Sequence, residues 1–362
     1  MTTGDRRRAL VSRVTPPAFL ADIAAAVDAR IAAVLDAEIA RWSELEVELA
    51  EPLTALRSFI LAGGKRLRPA FCHWAFVGAG GSAGDPAVVD AGAALELLHT
   101  FALVHDDIMD GSSTRRAVDT IHVEFEARHA LDGWRGEGRR FGEGVAILVG
   151  DLAFVYADRL LAGAPPAALD IFGELRIEVN IGQYLDLLGT ARGDVDRASA
   201  RRISLYKSGK YTVERPLHLG AALAGRLDDL REPLTEYGLP MGEAFQLRDD
   251  LLGVYGDAQV TGKPVGDDLR EGKPTALVAI AAERVDAAGR RLLGRLGAPD
   301  LRDEEIAALQ DLLIDVGAVA EVEATIDQLV TRATTALGAV PLVGGAEAAL
   351  ADLAAYVAGR DR

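Results

Sequence analysis

The sequence reads ELLHTFALVHDDIMD over residues 96–110, and this stretch decides the class of fold. Its apolar residues recur every three or four positions, a spacing that places them on one face of an α-helix. The same spacing continues through most of the chain, whereas alternating runs of β-branched and aromatic residues are scarce. We therefore predict an all-α protein.

Short segments rich in glycine and proline interrupt the helical spacing. The predicted helices cover residues 17–48, 51–62, 67–80, 86–110, 116–130, 143–162, 167–189, 196–207, 210–224 and 227–252, with several more after residue 273. None of the interruptions, which lie at 78–86, 132–144, 163–166 and 265–274, is long enough to link two domains. We predict a single domain over residues 1–362, with residues 1–16 as a flexible N-terminal segment.

The composition excludes several classes of protein. The 362 residues include 39 Lys and Arg against 55 Asp and Glu, and the resulting net charge of −16 argues against a nucleic-acid partner. No run of about 18 apolar residues is free of charged ones, so no membrane span is predicted. A single Cys excludes an intrachain disulfide and a cysteine-based metal cluster, and it fits a cytoplasmic location.

The quoted stretch ends in an acidic cluster. Asp106 and Asp110 are four residues apart, so on a helix they differ by about 40° in azimuth and project together. Two carboxylates on one face repel each other, and a cation between them would relieve the repulsion. Oxygen ligands favour a hard ion, which makes Mg²⁺ the expected metal. The alternative is a solvated acidic end of a helix.

A second acidic cluster, QLRDDLLGVYGD, occupies residues 246–257. It offers Asp249 and Asp250, but Gly253 stands four residues after Asp249, so the spacing of the first cluster is not repeated. Alone it is more typical of a solvated helix end. If the two clusters face one cavity, they could hold several Mg²⁺ ions between them.

Basic residues lie in four segments beside the acidic clusters. They are GGKRLRP at 63–69, Arg115 with Arg116, Lys207 in LYKSGKY, and Lys263 with Lys273 in TGKPVGDDLREGKPT. Arg offers paired hydrogen bonds to a phosphate and Lys a point charge, so four such segments favour diphosphate binding. The alternative is that they form salt bridges with the same aspartates. Two Glu-x-x-His pairs would permit a di-iron site, but that hypothesis leaves these motifs without a role.

Taken together, these motifs resemble the trans-isoprenyl diphosphate synthases, or polyprenyl synthetases, and are most similar to their geranylgeranyl diphosphate synthases. GGKRLRP, ELLHTFALVHDDIMD followed by RR, GQYLDL, K-S-x-x-Y and FQLRDDLLGVYGD followed by TGKP occur in the family's order between about residues 55 and 280. The resemblance implies an antiparallel helical bundle around a deep central cavity, usually in a homodimer. It also implies Mg²⁺-dependent condensation of isopentenyl diphosphate with allylic prenyl diphosphates.

The resemblance carries site roles to matching positions. It implies Mg²⁺ ligands at Asp106, Asp110 and Asp249, with Asp107 and Asp250 in support. It implies an allylic diphosphate site at Arg115, Lys207, Lys263 and Lys273, and an isopentenyl diphosphate site at Lys65, Arg68, His99 and Arg116. Gln183, Asp186, Ser208 and Gln246 match positions that line the reaction region, and Lys207, Ser208 and Gln246 join Asp106 and Asp110 as the expected catalytic residues.

Product length is expected to depend on Phe101 and Ala102, which precede the first acidic cluster. In the family, an aromatic residue at the position of Phe101 is typical of enzymes that make the C20 product, geranylgeranyl diphosphate. On a helical wheel Ala102 lies about 40° from Asp106 and Phe101 about 140° away. The alternative for Phe101 is an ordinary core residue, and C15 or longer products are alternatives to C20.

Two other functions are alternatives to prenyl diphosphate synthesis. A class I terpene cyclase shares the first acidic motif but binds one diphosphate, which would leave the isopentenyl diphosphate residues without a purpose. A non-catalytic helical partner subunit would be expected to lose residues of the acidic motifs, whereas DDIMD is complete here.

Overall fold

The computed structural model describes residues 14–115, 118–193, 196–256 and 265–359, and most of them lie in α-helices. The first half of the chain forms α1 (Phe19–Ser43), a 3₁₀ turn (Val47–Ala50), α2 (Glu51–Leu61), α3 (Leu67–Gly78), α4 (Pro86–Asp110), the strands β1 (Thr114–Arg115) and β2 (Val118–Asp119), α5 (Ile121–Leu131), α6 (Gly138–Leu161) and α7 (Pro166–Arg192). The all-α prediction is confirmed.

The second half continues the bundle and adds a smaller helical layer. It forms α8 (Arg197–Ser204), a π-helical segment (Leu205–Glu214), α9 (Arg215–Leu223), α10 (Leu227–Tyr255), α11 (Asp267–Glu271), α12 (Ala276–Arg284), α13 (Ala287–Leu293), α14 (Asp303–Asp315), α15 (Ala318–Leu337) and α16 (Ala346–Gly359). A single domain over 1–362 stays a prediction, and residues 1–13 of the segment predicted to be flexible lie outside the described residues.

The helix α4 runs through the middle of the bundle and carries the first acidic cluster at its C-terminal end. The Asp85 carboxylate accepts a hydrogen bond from the Ala87 amide at the start of the helix, where Pro86 supplies the fixed backbone angle of a first turn. Gly111 ends the helix in the left-handed conformation, with φ of 66°. These local signals determine where α4 begins and ends, and therefore where Asp106 and Asp110 lie at its C-terminal end.

Two hydrophobic cores hold the helices together. The larger one joins α1 to α7 with α9, part of α10 and α16, and the smaller one joins the C-terminal part of α10 to α12, α14 and α15. Among the described helices, α4 alone is long and apolar enough to cross a membrane, but most of it is buried by its neighbours. That burial is typical of a core helix.

The structure differs from the predicted helices at three places near the site. Residues after Gly111 form the β1–β2 hairpin before α5 begins at Ile121, because Thr120 donates a hydrogen bond to the Ser112 carbonyl and closes the turn. The helix α6 begins at Gly138, so the break predicted at 132–144 is shorter. The predicted helices at 196–207 and 210–224 are joined by the continuous π-helical segment, in which Gly209 packs against Gly242 of α10.

Candidate active site

A cavity of about 940 Å³ opens between α1, α3, α4, α7, the π-helical segment, α10 and α11. Carboxylates, cations and apolar side chains all contribute to its wall. The residues predicted as site residues that line it are Lys65, Arg68, His99, Ala102, Asp106, Arg115, Gln183, Asp186, Lys207, Ser208, Gln246, Asp249 and Lys273. Residues separated by more than 200 positions in sequence therefore share one cavity.

Glycine lets the helices that carry these residues approach closely. A Cβ atom added to Gly182 of α7 would lie 2.3 Å from the Lys207 backbone nitrogen, closer than real Cβ contacts allow. A Cβ atom on Gly242 of α10 would lie 2.4 Å from the Gly209 carbonyl oxygen. The π-helical segment is thus held between α7 and α10, and this contact brings Lys207 to the end of α4.

Three cationic side chains lie close to Asp106 of the first acidic cluster. Its Oδ1 accepts hydrogen bonds from Lys207 Nζ at 3.0 Å and from Gln183 Nε2 at 2.8 Å. Lys207 Nζ also lies 2.5 Å from Asp186 Oδ2, and Arg115 Nη2 lies 3.8 Å from Asp106 Oδ2. Burial raises the pKa of Asp106, but the charges of Lys207, Lys273 and Arg115 outweigh it and hold that pKa well below its ordinary value.

Asp110 has the opposite electrostatic balance. Burial, followed by the nearby negative charge of Asp106, raises the pKa of Asp110 to about 6. Lys273 Nζ lies 3.4 Å from Asp110 Oδ2, but it also lies 2.5 Å from Glu271 Oε2 and 3.9 Å from Asp268 Oδ1. One lysine is therefore shared among three carboxylates, which leaves excess negative charge at this end of α4.

Asp107 points away from its two neighbours and is almost fully buried. Arg115 holds it through Nη2 at 2.6 Å and through Nε at 2.8 Å. A paired contact of this kind fixes the guanidinium plane. Arg115 is thus attached to the base of the acidic cluster while it lines the cavity.

Arg68 and His99 lie on a different wall, formed by α3 and α4. Arg68 Nη2 donates hydrogen bonds to the Tyr211 hydroxyl at 2.5 Å and to Thr212 Oγ1 at 2.9 Å. The Tyr211 hydroxyl lies 2.7 Å from His99 Nδ1, and the Arg68 guanidinium lies over the Tyr211 ring, 4.2 Å from its centroid. Tyr211 therefore joins the two predicted residues into one unit.

The second acidic cluster lies on α10. Asp249 and Asp250 both line the cavity, and Gln246 Nε2 donates a hydrogen bond of 2.7 Å to Asp250 Oδ1. Burial, followed by the negative charge of Asp268, raises the pKa of Asp250 to about 7. The carboxylate of Asp268 also occupies the place of a side chain at Gly253, because its Oδ2 lies 1.9 Å from a Cβ added there.

A polyprenyl synthetase family profile matches residues 50–313 of the chain. The chain belongs to the polyprenyl synthetase family. A geranylfarnesyl diphosphate synthase of Aeropyrum pernix is 34% identical over 293 residues, which cover 78% of this chain and 86% of that protein. A geranylgeranyl diphosphate synthase of Sulfolobus acidocaldarius is 34% identical over 267 residues, which cover 70% and 73%.

A solved structure of the same fold supports the family assignment. Geranylgeranyl pyrophosphate synthase from Corynebacterium glutamicum, complexed with isoprenyl diphosphate and magnesium, has a TM-score of 0.88 and 37% identity to this chain. The match covers 93% of this chain and 98% of that one. Like the family as a whole, this polyprenyl synthetase is a prenyltransferase. The predicted resemblance is therefore confirmed.

The remaining four predicted residues of this polyprenyl synthetase fall into two groups. Arg116 and Lys263 lie outside the described residues. Asp110 is not among the lining residues, but its Oδ2 lies 3.4 Å from Nζ of Lys273, which lines the cavity. Phe101 packs against Phe154, with 4.9 Å between ring centroids, whereas its neighbour Ala102 lines the cavity. The placement follows the helical wheel, on which Ala102 and not Phe101 shares the face of Asp106.

The sequence motifs did not single out several residues that shape the site. Tyr211 stands in the quoted K-S-x-x-Y segment, but only the structure brings it to Arg68. Asp268 and Glu271 stand between Lys263 and Lys273, where their alternation with basic residues would also fit a solvated loop. Arg66 borders the same cavity as Lys65 and Arg68, yet its side chain is buried.

The donor groups of the polyprenyl synthetase fit a hard dication that is shared with a phosphate ligand. Among the residues that the structure describes, no three carboxylate, imidazole or thiol groups converge on one point as a complete metal site. The available ligands near the cavity mouth are carboxylate oxygens, and Asp110 carries charge that Lys273 offsets only in part. Such a set suits Mg²⁺, which takes one or two carboxylates and completes its shell with phosphate oxygens and water.

Proposed function

We propose that this polyprenyl synthetase condenses isopentenyl diphosphate with an allylic prenyl diphosphate in the presence of Mg²⁺ and makes a C20 product. One observation carries the proposal: two separate groups of cations face one cavity that also holds both acidic clusters. A protein that binds one diphosphate, such as a terpene cyclase, would need only one such group. Isopentenyl-dependent chain growth therefore distinguishes the two functions.

The allylic diphosphate would lie at the acidic clusters. Asp106 and Asp110 from α4 and Asp249 from α10 would hold several Mg²⁺ ions, while Arg115, Lys207 and Lys273, with Lys263, bind the phosphate oxygens. The metal ions would withdraw charge from the leaving diphosphate oxygens. The proposal is supported by the hydrogen bond from Lys207 to Asp106, because it places a cation where the leaving group must lie.

The isopentenyl diphosphate would lie at Lys65, Arg68, His99 and Arg116. The Nε atom of Arg68 supports this placement, because it is buried and lacks a hydrogen-bond partner among the described residues. A buried donor without a partner is costly, and a phosphate oxygen would satisfy it. Arg68 and Lys65 both line the same cavity as the acidic clusters.

The reaction then needs no protein nucleophile. The allylic carbon–oxygen bond breaks, the double bond of isopentenyl diphosphate forms a new carbon–carbon bond to the allylic cation, and a proton leaves the adjacent carbon to the released diphosphate. Ala102, Leu103 and Val179 line the cavity with apolar groups, which would keep water from capturing the cation. Gln183, Asp186, Ser208 and Gln246 would position the reacting groups around Lys207.

We also propose a homodimer formed through α6 and α7. Each helix exposes a row of apolar side chains at helical spacing, and the rows comprise Ile147, Leu148 and Val155 on α6 and Ile177, Ile181 and Tyr184 on α7. Arg176 ties the two helices together through Asp158, at 2.6 Å. Contiguous exposed apolar patches are typical of contacts between proteins.

We propose a cytoplasmic location for the enzyme, which the single, buried Cys72 supports.

Chromatography of the products tests the proposed function. The protein is incubated with Mg²⁺, isopentenyl diphosphate and dimethylallyl, geranyl or farnesyl diphosphate in turn, and we expect geranylgeranyl diphosphate from each. The Asp106→Ala variant is expected to lose nearly all turnover, because it removes a metal ligand and the partner of Lys207. A chain that incorporates no isopentenyl unit from any starter would contradict the proposal. C15 or longer products would contradict only the proposed chain length and not the proposed condensation reaction.

A further inference from the structure

Arg66 has a backbone conformation that requires an explanation. Its φ of 49° and ψ of 38° are left-handed, and it is the one residue other than glycine with a positive φ among those that the structure describes. A side chain makes this conformation unfavourable, so the surrounding contacts must hold it in place. Arg66 lies directly before α3 and, like Lys65 and Arg68, is part of the cavity lining.

The guanidinium of Arg66 supplies those contacts. It is 2% exposed and donates to three different parts of the fold. Its Nε lies 2.8 Å from Asp28 Oδ1 of α1, its Nη1 lies 2.6 Å from Glu96 Oε2 of α4, and its Nη2 lies 2.6 Å from the Ile60 carbonyl oxygen of α2. Three helices are thereby joined through one side chain. Since its donors are used within the protein, Arg66 is not placed to bind phosphate itself.

The contact with Glu96 connects the two walls of the proposed isopentenyl diphosphate site. Glu96 precedes His99 by one helical turn on α4, while Arg66 precedes Arg68 by two residues at the start of α3. The Glu96 side chain is 3% exposed, and its Oε1 has no hydrogen-bond partner among the described residues. This carboxylate therefore depends on Arg66 for its charge balance, because a buried carboxylate without a cation is strongly unfavourable.

We propose that Arg66 is a positioning residue that sets the affinity for isopentenyl diphosphate, by holding Lys65 and Arg68 in register with His99. The proposal rests on the proposed function of the cavity. It assigns Arg66 no contact with either substrate. It also predicts a larger effect on isopentenyl diphosphate than on the allylic substrate, because Arg66 stands in the same short segment as Lys65 and Arg68, whereas Arg115, Lys207 and Lys273 stand in other segments.

The test compares Arg66→Lys with the wild-type enzyme. Lys keeps the charge but cannot reach three acceptors in one plane. We expect the Kd and KM for isopentenyl diphosphate to rise by about tenfold to a hundredfold, because the charge-assisted hydrogen bonds from Lys65 and Arg68 to its diphosphate would weaken. The KM for the allylic substrate should change by less than about twofold, because Arg115, Lys207 and Lys273 make no contact with Arg66. Isothermal titration with isopentenyl diphosphate alone gives the Kd without turnover.

The matched control is Arg215→Lys. Arg215 is also buried and also holds two carboxylates, with Nε and Nη2 each 2.7 Å from Glu178 and Nη1 3.1 Å from Glu174, but it does not line the cavity. This variant should lose thermal stability and leave the ratio of the two KM values unchanged. A folded Arg66→Lys variant with an unchanged Kd for isopentenyl diphosphate would overturn the proposal, and so would equal increases in both KM values.

A second variant keeps the proposal testable if Arg66→Lys does not fold. Asp28 is the most exposed of the three partners, at 36% of its side chain. Asp28→Asn weakens the contact while retaining a hydrogen-bond acceptor, so a smaller increase in the same Kd is expected, and no increase would overturn the proposal. Failure of the proposed function is distinguishable, since a wild-type protein that binds isopentenyl diphosphate without extending any starter would contradict that function alone.

Discussion

Asp110→Asn should make the metal-free enzyme more stable while it removes a proposed metal ligand. Burial and the charge of Asp106 raise the pKa of Asp110 from an ordinary value of 3.8 to about 6. This difference corresponds to about 3 kcal/mol of unfavourable free energy in the ionised form. Asn has nearly the same shape and no charge, so above pH 6 the variant should gain up to about 3 kcal/mol of unfolding free energy.

The sign of the pH dependence follows from the direction of the pKa change. A carboxyl whose pKa is raised in the folded state contributes full stability below its unfolded pKa and loses that contribution as pH rises through its folded pKa. The wild type and Asp110→Asn should therefore have similar stability near pH 4. The difference should develop between pH 4 and about 6 and remain constant above it.

Urea unfolding in the presence of EDTA, at pH 4 and pH 7.5, measures this difference. Asp107→Asn is the matched control on the same helix, because it removes a fully buried partner of Arg115 and should destabilise the protein by up to about 3–5 kcal/mol. Adding Mg²⁺ with pyrophosphate should then stabilise the wild type and not Asp110→Asn; a ligand at about 100 times its Kd contributes about 2.7 kcal/mol. A metal-free Asp110→Asn that is less stable than the wild type at pH 7.5 would refute the reasoning.

Three further predictions concern product length, the second acidic cluster and assembly. Phe101→Ala should lengthen the products seen by chromatography, because removing the ring that packs on Phe154 would open space next to Ala102, which lines the cavity, and an unchanged product would leave Phe101 as a core residue. Gly253→Asp alone should lower the melting temperature, since its Cβ would meet the Asp268 carboxylate, and Asp268→Ala in the same chain should restore it. In light scattering the wild type should have the mass of a dimer, and Ile177→Asp, on the exposed face of α7, should have that of a monomer; a monomeric wild type would contradict the proposed interface.

Local spacing predicted much of the fold and the first acidic cluster. Four-residue spacing predicted that Asp106 and Asp110 lie at the end of one helix. The residues that cap this helix, Asp85 and Gly111, directly flank it in sequence. The wheel also predicted that Ala102 would share the face of Asp106. These features depend on residues close together in sequence, whose relation a regular helix fixes.

Contacts between distant segments were beyond what the sequence could predict. The sequence predicts separate helices at 196–207 and 210–224, yet the chain is continuous between them through the π-helical segment, where Gly209 packs closely on Gly242. The carboxylate of Asp268 lies against Gly253 only because α11 packs on α10. These arrangements depend on tertiary packing, which overrides local preference.

The central claim is that acids from α4 and α10 bind metal ions and diphosphate between them in one cavity. Crystals grown with Mn²⁺, isopentenyl diphosphate and an unreactive thio analogue of farnesyl diphosphate test it most directly, because the metal ions are located by anomalous scattering. We predict metal ions bound to the carboxylates of Asp106 and Asp249 and also coordinated by the phosphates of the allylic analogue. We predict isopentenyl diphosphate bound at Arg68. Metal ions bound away from these acids, or a cavity with only one diphosphate site, would contradict the account.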